Sequence, residues 1–150
     1  MRSHERIFTC CLTAGAALLA SSSLPDNAVA AERPVALAEV TVNAKESALA
    51  PPEVREIALD AIVRTTWPTG RRDSLVSVSV VSMEARASGD GSSLTCLVSA
   101  ALRDKRTGAV YAVVESRATR EQKSVTAADE RATVSVALGN AIARLPGALR

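Results

Sequence analysis

Apolar residues recur at two different periods along this chain, and each change of period marks a new element. Val35 to Val42 is apolar and partly β-branched, which reads as a first strand. A linker from Asn43 to Pro51 follows. Pro51-Pro52-Glu53 then opens a helix: proline is tolerated in the first turn, and Glu53 and Glu56 lie near the positive end of the helix dipole. Val54, Ile57, Ala58, Ala61, Ile62 and Thr65 keep the spacing of one helical face, and Pro68 and Gly70 end it.

From Leu75 to Ala87 the period is two. Val76, Val78 and Val80 alternate with Ser77 and Ser79. Beyond Val80 the phase slips, so that Val81, Met83, Ala85 and Ala87 alternate with Ser82, Glu84 and Arg86. One extra residue near Val80-Val81, a β-bulge, keeps both apolar sets facing inward. Ser88 to Ser93, with Gly89, Asp90 and Gly91, is a turn; Leu94 to Arg103 is the next strand; Asp104 to Gly108 is a second turn. Ala109 to Thr119 is the last strand, with Val110, Ala112, Val114, Ser116 and Ala118 on one side. A helix closes the chain. Thr126 caps it with Asp129 three residues on, and Val134, Leu138, Ala141, Leu145 and Leu149 form its apolar stripe. Gly139 inside that stripe costs about 1 kcal/mol against alanine, so it is expected to mark close packing.

The order strand, helix, three meandering strands, helix argues for an α+β fold over a parallel α/β sheet. The expected architecture is a three- or four-stranded, mostly antiparallel sheet with the meander over 75–119. Both helices pack on one face, and the serine side of the second strand meets solvent.

Residues 1–30 change the picture. Arg2 and Arg6 precede an uncharged, largely apolar stretch from Ile7 to Ala20, and a polar tail ends in Ala28-Val29-Ala30. That is the pattern of a secretory signal peptide cleaved after Ala30, which places the mature protein in a periplasm or outside the cell. The apolar stretch is shorter than the ~20 residues of a spanning helix, so no transmembrane segment is expected after cleavage. The organisation is then a leader (1–30), a first strand and linker (31–50) and one α+β domain (51–150). About 120 residues remain, enough for a core without disulfide staples. Net charge is +2 for the whole chain, so its total creates no strong pull on polyanions.

The leader also carries the chain's one histidine, His4, its one phenylalanine, Phe8, and two of its three cysteines, Cys10 and Cys11. Without imidazole, serine or cysteine catalysis of the usual kind loses its base. Lys45, Lys105 and Lys123 fall in linkers, turns or strand ends, where an amine is poorly desolvated. Carboxylates are scattered without metal-site spacing, no glycine-rich phosphate loop occurs, and Trp67 and Tyr111 are too few aromatics for a nucleic-acid platform. No catalytic, cofactor or metal residue is therefore assigned, and no nucleic-acid partner. Glu84 and Glu115, both in strands, are the candidates for an alternative: a carboxylate-dependent hydrolase of a wall polymer. Cys96 is a lone thiol. Its parity with Leu94, Val98 and Leu102 places it in the core, the alternative being a reactive thiol that links two chains. Trp67, beside Pro68, is read as a plug between the first helix and the sheet.

One charged pattern remains. A meander brings the start of the second strand, the end of the third and the start of the fourth to one edge. That edge gathers Arg71, Arg72, Arg103, Lys105 and Arg106, with Asp73 and Asp104 among them. The opposite edge collects Asp90, Glu121, Asp129 and Glu130 beside Arg120 and Lys123. Arginine suits bidentate carboxylate and phosphate contacts. The sequence thus points to an exported, non-catalytic binding or adaptor domain of a bacterial cell envelope. Its expected partner is an acidic envelope protein or an anionic wall polymer.

Overall fold

In the computed structural model, residues 35–45, 47–68 and 73–149 are described. The predicted leader and the basic-edge candidates Arg71 and Arg72 lie outside them. The elements are β1 (Val35–Val42), α1 (Pro51–Arg64), β2 (Ser74–Ser88), β3 (Gly91–Asp104), β4 (Val110–Gln122) and α2 (Ala127–Arg144), followed by a short 3-10 turn, Leu145–Leu149. The strands form one sheet in the order β1-β2-β3-β4. β1 runs parallel to β2, joined through α1 as parallel neighbours require, and β2, β3 and β4 form an antiparallel meander. The fold is α+β, with a mixed sheet.

Each helix begins where its preceding strand ends and returns along the same face, so α1 and α2 run parallel. Arg131 of α2 bridges them, reaching Glu53 at 3.7 Å and Glu56 at 3.2 Å in the first turns of α1. Local chemistry sets the ends. Glu53 accepts the Ala50 amide at 2.9 Å, and Pro51 and Pro52 occupy positions whose amides need no helical partner. Thr126 and Asp129 form a reciprocal cap: the Asp129 amide donates to the Thr126 hydroxyl at 3.3 Å, and the Thr126 amide to the Asp129 carboxylate at 3.1 Å. That hydroxyl also donates to the Asp129 carboxylate and lowers its pKa. The stripe predicted through Leu149 breaks earlier. Pro146 lacks an N–H and crowds the preceding turn, so α2 stops at Arg144 and the chain tightens into the 3-10 turn.

The core lies between the helices and one sheet face. Val54, Ile57, Ala58 and Ile62 of α1 and Val134, Ala137, Leu138, Ala141 and Ile142 of α2 meet Val76, Val78, Val80, Met83, Leu94, Cys96, Val98, Ala100 and Leu102. Trp67 packs half-buried against this core, its indole N–H donating to the Ile62 carbonyl at 3.0 Å. Gly139 does not mark close packing: a Cβ there would meet nothing within 4 Å. It lines an open groove between α1 and α2 instead, with Ile57, Asp60 and Ser135.

The phase slip in β2 is a bulge. Val80 pairs with Val98 and Ser82 with Leu97, which leaves Val81 as the extra residue. Val80 and Met83 are buried, but Val81 itself is exposed, so the inward set resumes at Met83 rather than at Val81. The first hairpin turn is also tighter than its sequence suggests. Ser88 pairs with Gly91, leaving only Gly89 and Asp90 between strands, and Gly89 takes the left-handed φ of 56°. Gly91 sits against β4: a Cβ there would lie 2.5 Å from the Gln122 carbonyl oxygen.

Candidate functional site

At the end of the sheet where β2 and β4 begin and β3 finishes, the register aligns Ala36, Leu75, Arg103 and Val110 across the four strands on the face away from the helices. The next row holds Ser77, Ala101 and Val113. Arg103 therefore stands in an apolar strip in which Val110 and Val113 are 53% and 60% exposed. Lys105 and Arg106 follow in the β3–β4 turn. Lys105 is held by the chain itself, its amide donating to the Asp73 carbonyl at 3.0 Å and its ammonium 3.4 Å from the Asp73 carboxylate. Arg103 and Arg106 are exposed and have no ion pair among the described residues.

Asp104 organises this end. Its parity with Leu102 carries its side chain to the helix side, where it is 2% exposed. One carboxylate oxygen accepts the amides of Arg106 and Thr107 at 2.8 and 2.7 Å; the other accepts the Tyr111 hydroxyl at 2.6 Å. Tyr111 reaches it because β4 is bulged there: Leu102 pairs with Ala112 and Arg103 with Val110, so Tyr111 is extra. The Tyr111 hydroxyl above all, then the Thr107 amide, hold the Asp104 carboxyl far below the usual carboxylate range. Gly108, at φ 73°, lets the chain turn back into β4. Asp73, Asp104, Lys105 and Arg106 line an open depression of about 710 Å³.

By sequence Asp104 falls in the second turn among the cations of the basic edge; the structure buries it and joins it to Tyr111 instead. The signal was present: the alternation Leu94 to Leu102 continues one step to Asp104, followed by the turn sequence Lys-Arg-Thr-Gly. At the opposite end, Asp129 serves the α2 cap, and Glu130 accepts the Ala48 amide at 2.8 Å and the Ser47 hydroxyl at 3.4 Å. These two charges hold the linker and the helix start in place.

Glu84 and Glu115 are not brought together. Glu84 faces Thr95 and Glu115 faces Ser99, four residues apart along β3 and on opposite sides of it. Strand geometry puts their backbones roughly 16 Å apart, against the roughly 5–9.5 Å between the carboxyl groups of glycosidase pairs. Glu84 is paired with Arg86 at 2.7 Å. Cys96 is fully buried between Met83 and Ala118 in the register. Burial, then the nearby Glu130 charge, push its thiol up to about 11. The rise from 9.0 to about 11 cuts the thiolate fraction at neutral pH by about 100-fold. Native protein is therefore expected to react with a thiol reagent more than about 100-fold slower than the urea-unfolded chain; equal rates in a stopped-flow assay would contradict this placement.

Among the described residues, no group of three or more His, Cys, Asp or Glu is arranged to hold a metal ion, and no helix is long and apolar enough to cross a membrane. No protein-family model and no curated protein matches the sequence. Solved structures do resemble the fold. A hypothetical protein from Chlamydia trachomatis superposes with a TM-score of 0.51 at 11% identity, covering 77% of this chain and 96% of that one. It shares this fold. A Xanthomonas campestris protein assigned to the family model DUF330 aligns at 22% identity and a TM-score of 0.37, over 51% of this chain and 45% of that one. This chain therefore spans less than half the length of that protein. PelC from Paraburkholderia phytofirmans, solved as a dodecamer, aligns at 16% identity and a TM-score of 0.46, over 72% and 86% of the two chains.

Proposed function

We propose that this chain is an exported, non-catalytic binding domain of a bacterial cell envelope, and that it docks an acidic protein through the basic end of its sheet. The observation that carries the reading is the pair Arg103 and Arg106, exposed and without ion pairs among the described residues, while Lys105 is paired with Asp73. Export rests on the leader pattern of residues 1–30. A protein partner is favoured over an anionic polymer because Arg103 is flanked by Leu75 and Val110 in the register. Arginine set among apolar side chains suits a protein surface that offers both carboxylates and apolar groups; a polyanion uses only the charge.

The test is in-cell photo-crosslinking from a probe replacing Thr107, beside Arg106, followed by mass spectrometry. An acidic envelope protein should be captured. The double variant Arg103→Glu/Arg106→Glu should weaken its binding by about 100-fold or more, because each contact turns repulsive. Capture that survives the double variant, or capture of wall polymer alone, overturns the reading.

A further inference from the structure

The two edges of the sheet are built differently. β1 is eight residues long and its pairing is interrupted between Leu37 and Val40, with Glu39 exposed there; bulges and charges of this kind blunt an edge. β4 is thirteen residues long, pairs regularly with β3 from Ala112 to Gln122, and contains neither proline nor glycine. Its outer edge is a row of backbone groups without a strand partner among the described residues.

The side chains of β4 on the face away from the helices run Val113, Glu115, Arg117, Thr119, Glu121. Glu115 and Arg117 are both exposed, and neither has an ion pair among the described residues. They sit one step either side of Ser116, the midpoint of the strand. When two copies of β4 are laid antiparallel about Ser116, Ala112 falls opposite Arg120 and Ser116 opposite Ser116, while Val110, beyond the Tyr111 bulge, takes no part. In that register Glu115 faces Arg117 of the second copy, twice by symmetry, and Val113 faces Thr119. On the helix side Val114 faces Ala118. Sliding the register by one pair in one direction sets Arg117 against Arg117, and in the other Glu115 against Glu115; like charges directly opposite destabilise a sheet. Of these three registers, the one about Ser116 is the one in which the two charges match.

We infer that β4 is a self-complementary edge that pairs antiparallel with β4 of a second copy of this chain about a two-fold axis at Ser116, joining two four-stranded sheets into one of eight strands. A two-fold axis makes the contact closed, so the assembly stops at a dimer. The pairing edge shares Val113 with the apolar strip of the basic end but uses neither Arg103 nor Arg106. The antiparallel arrangement sends the two basic ends to opposite ends of the joint sheet.

The test is sedimentation equilibrium of protein purified after expression of the full chain. The wild type should be dimeric. Glu115→Arg alone and Arg117→Glu alone should each weaken self-association about tenfold or more, since each replaces both attractive pairs by repulsive ones. Mixing the two variants should restore a one-to-one dimer, because each charge then meets its opposite across the axis. The double variant Glu115→Arg/Arg117→Glu should dimerise like the wild type. Restoration by mixing also shows that the single variants are folded. A wild type that stays monomeric, or single variants that dimerise as tightly as the wild type, overturns the inference. A loss of partner capture by the Arg103/Arg106 variant with this behaviour unchanged separates the two proposals.

Discussion

Asp104→Ala is expected to lower the melting temperature by roughly 5–10 °C and to abolish docking at the basic end. The substitution orphans the Arg106 and Thr107 amides, which now share one carboxylate oxygen, and frees the Tyr111 hydroxyl from the other. The turn that presents Arg106 loses its internal anchor, and the Tyr111 bulge loses its reason to persist. Asp104→Asn keeps an acceptor for the two amides but offers Tyr111 no charged oxygen, so it should fall between. The pH dependence follows from the same contacts. Asp104 and Asp129 both have lowered pKa values in the folded chain. Their stabilisation is complete above the unfolded carboxylate value near 4 and is lost as the pH falls below it toward the depressed folded values. Melting curves recorded from pH 7 downward should show the wild type losing stability below about pH 4, with a shallower loss in both Asp104 variants. Parallel curves for all three proteins would mean that the Asp104 carboxylate does not hold this turn.

Leu138→Ala is expected to cost about 3–5 kcal/mol, a large part of the roughly 5–15 kcal/mol that holds a domain of this size together. Leu138 is fully buried on the face of α2 that meets the sheet. It belongs to the buried set packed between the helices and the sheet, so truncation leaves a cavity that its surroundings refill only in part, and the cost of that cavity adds to the lost burial. Val136→Ala on the same helix is the control: Val136 is 56% exposed, and its loss should change stability by no more than about 0.5 kcal/mol. Urea unfolding distinguishes the two, with the slope preserved and only the midpoint moved for Leu138→Ala. Similar midpoints would place Leu138 outside the core.

Features set by neighbouring residues were legible in the sequence, and features set by distant ones were not. The bulge at Val80–Val81 announced itself because a period-two pattern cannot change phase without an extra residue. The Thr126–Asp129 cap and the Pro51-Pro52 helix start are likewise matters of a few adjacent residues. The parallel pairing of β1 with β2 depends on where α1 lands, which no local spacing encodes. The inward aim of Asp104 was hidden for another reason. A carboxylate at a turn is ordinarily solvated, and only the Tyr111 hydroxyl and the two turn amides make burial affordable here. At the basic end the cations group by topology, but only the three-dimensional contacts show that Lys105 is occupied by Asp73 while Arg103 and Arg106 have no ion pair among the described residues.

The chain's one tryptophan and one tyrosine both lie toward the end of the sheet proposed for docking. Trp67 closes α1 on its return toward the start of β2, and Tyr111 is fastened to the carboxylate that shapes the β3–β4 turn. The molecule thus carries two intrinsic chromophores with little spectral background elsewhere. A titration followed by ultraviolet emission needs no dye: a ligand seated there should alter the tyrosine signal first, and a change at the end of α1 should shift the tryptophan emission.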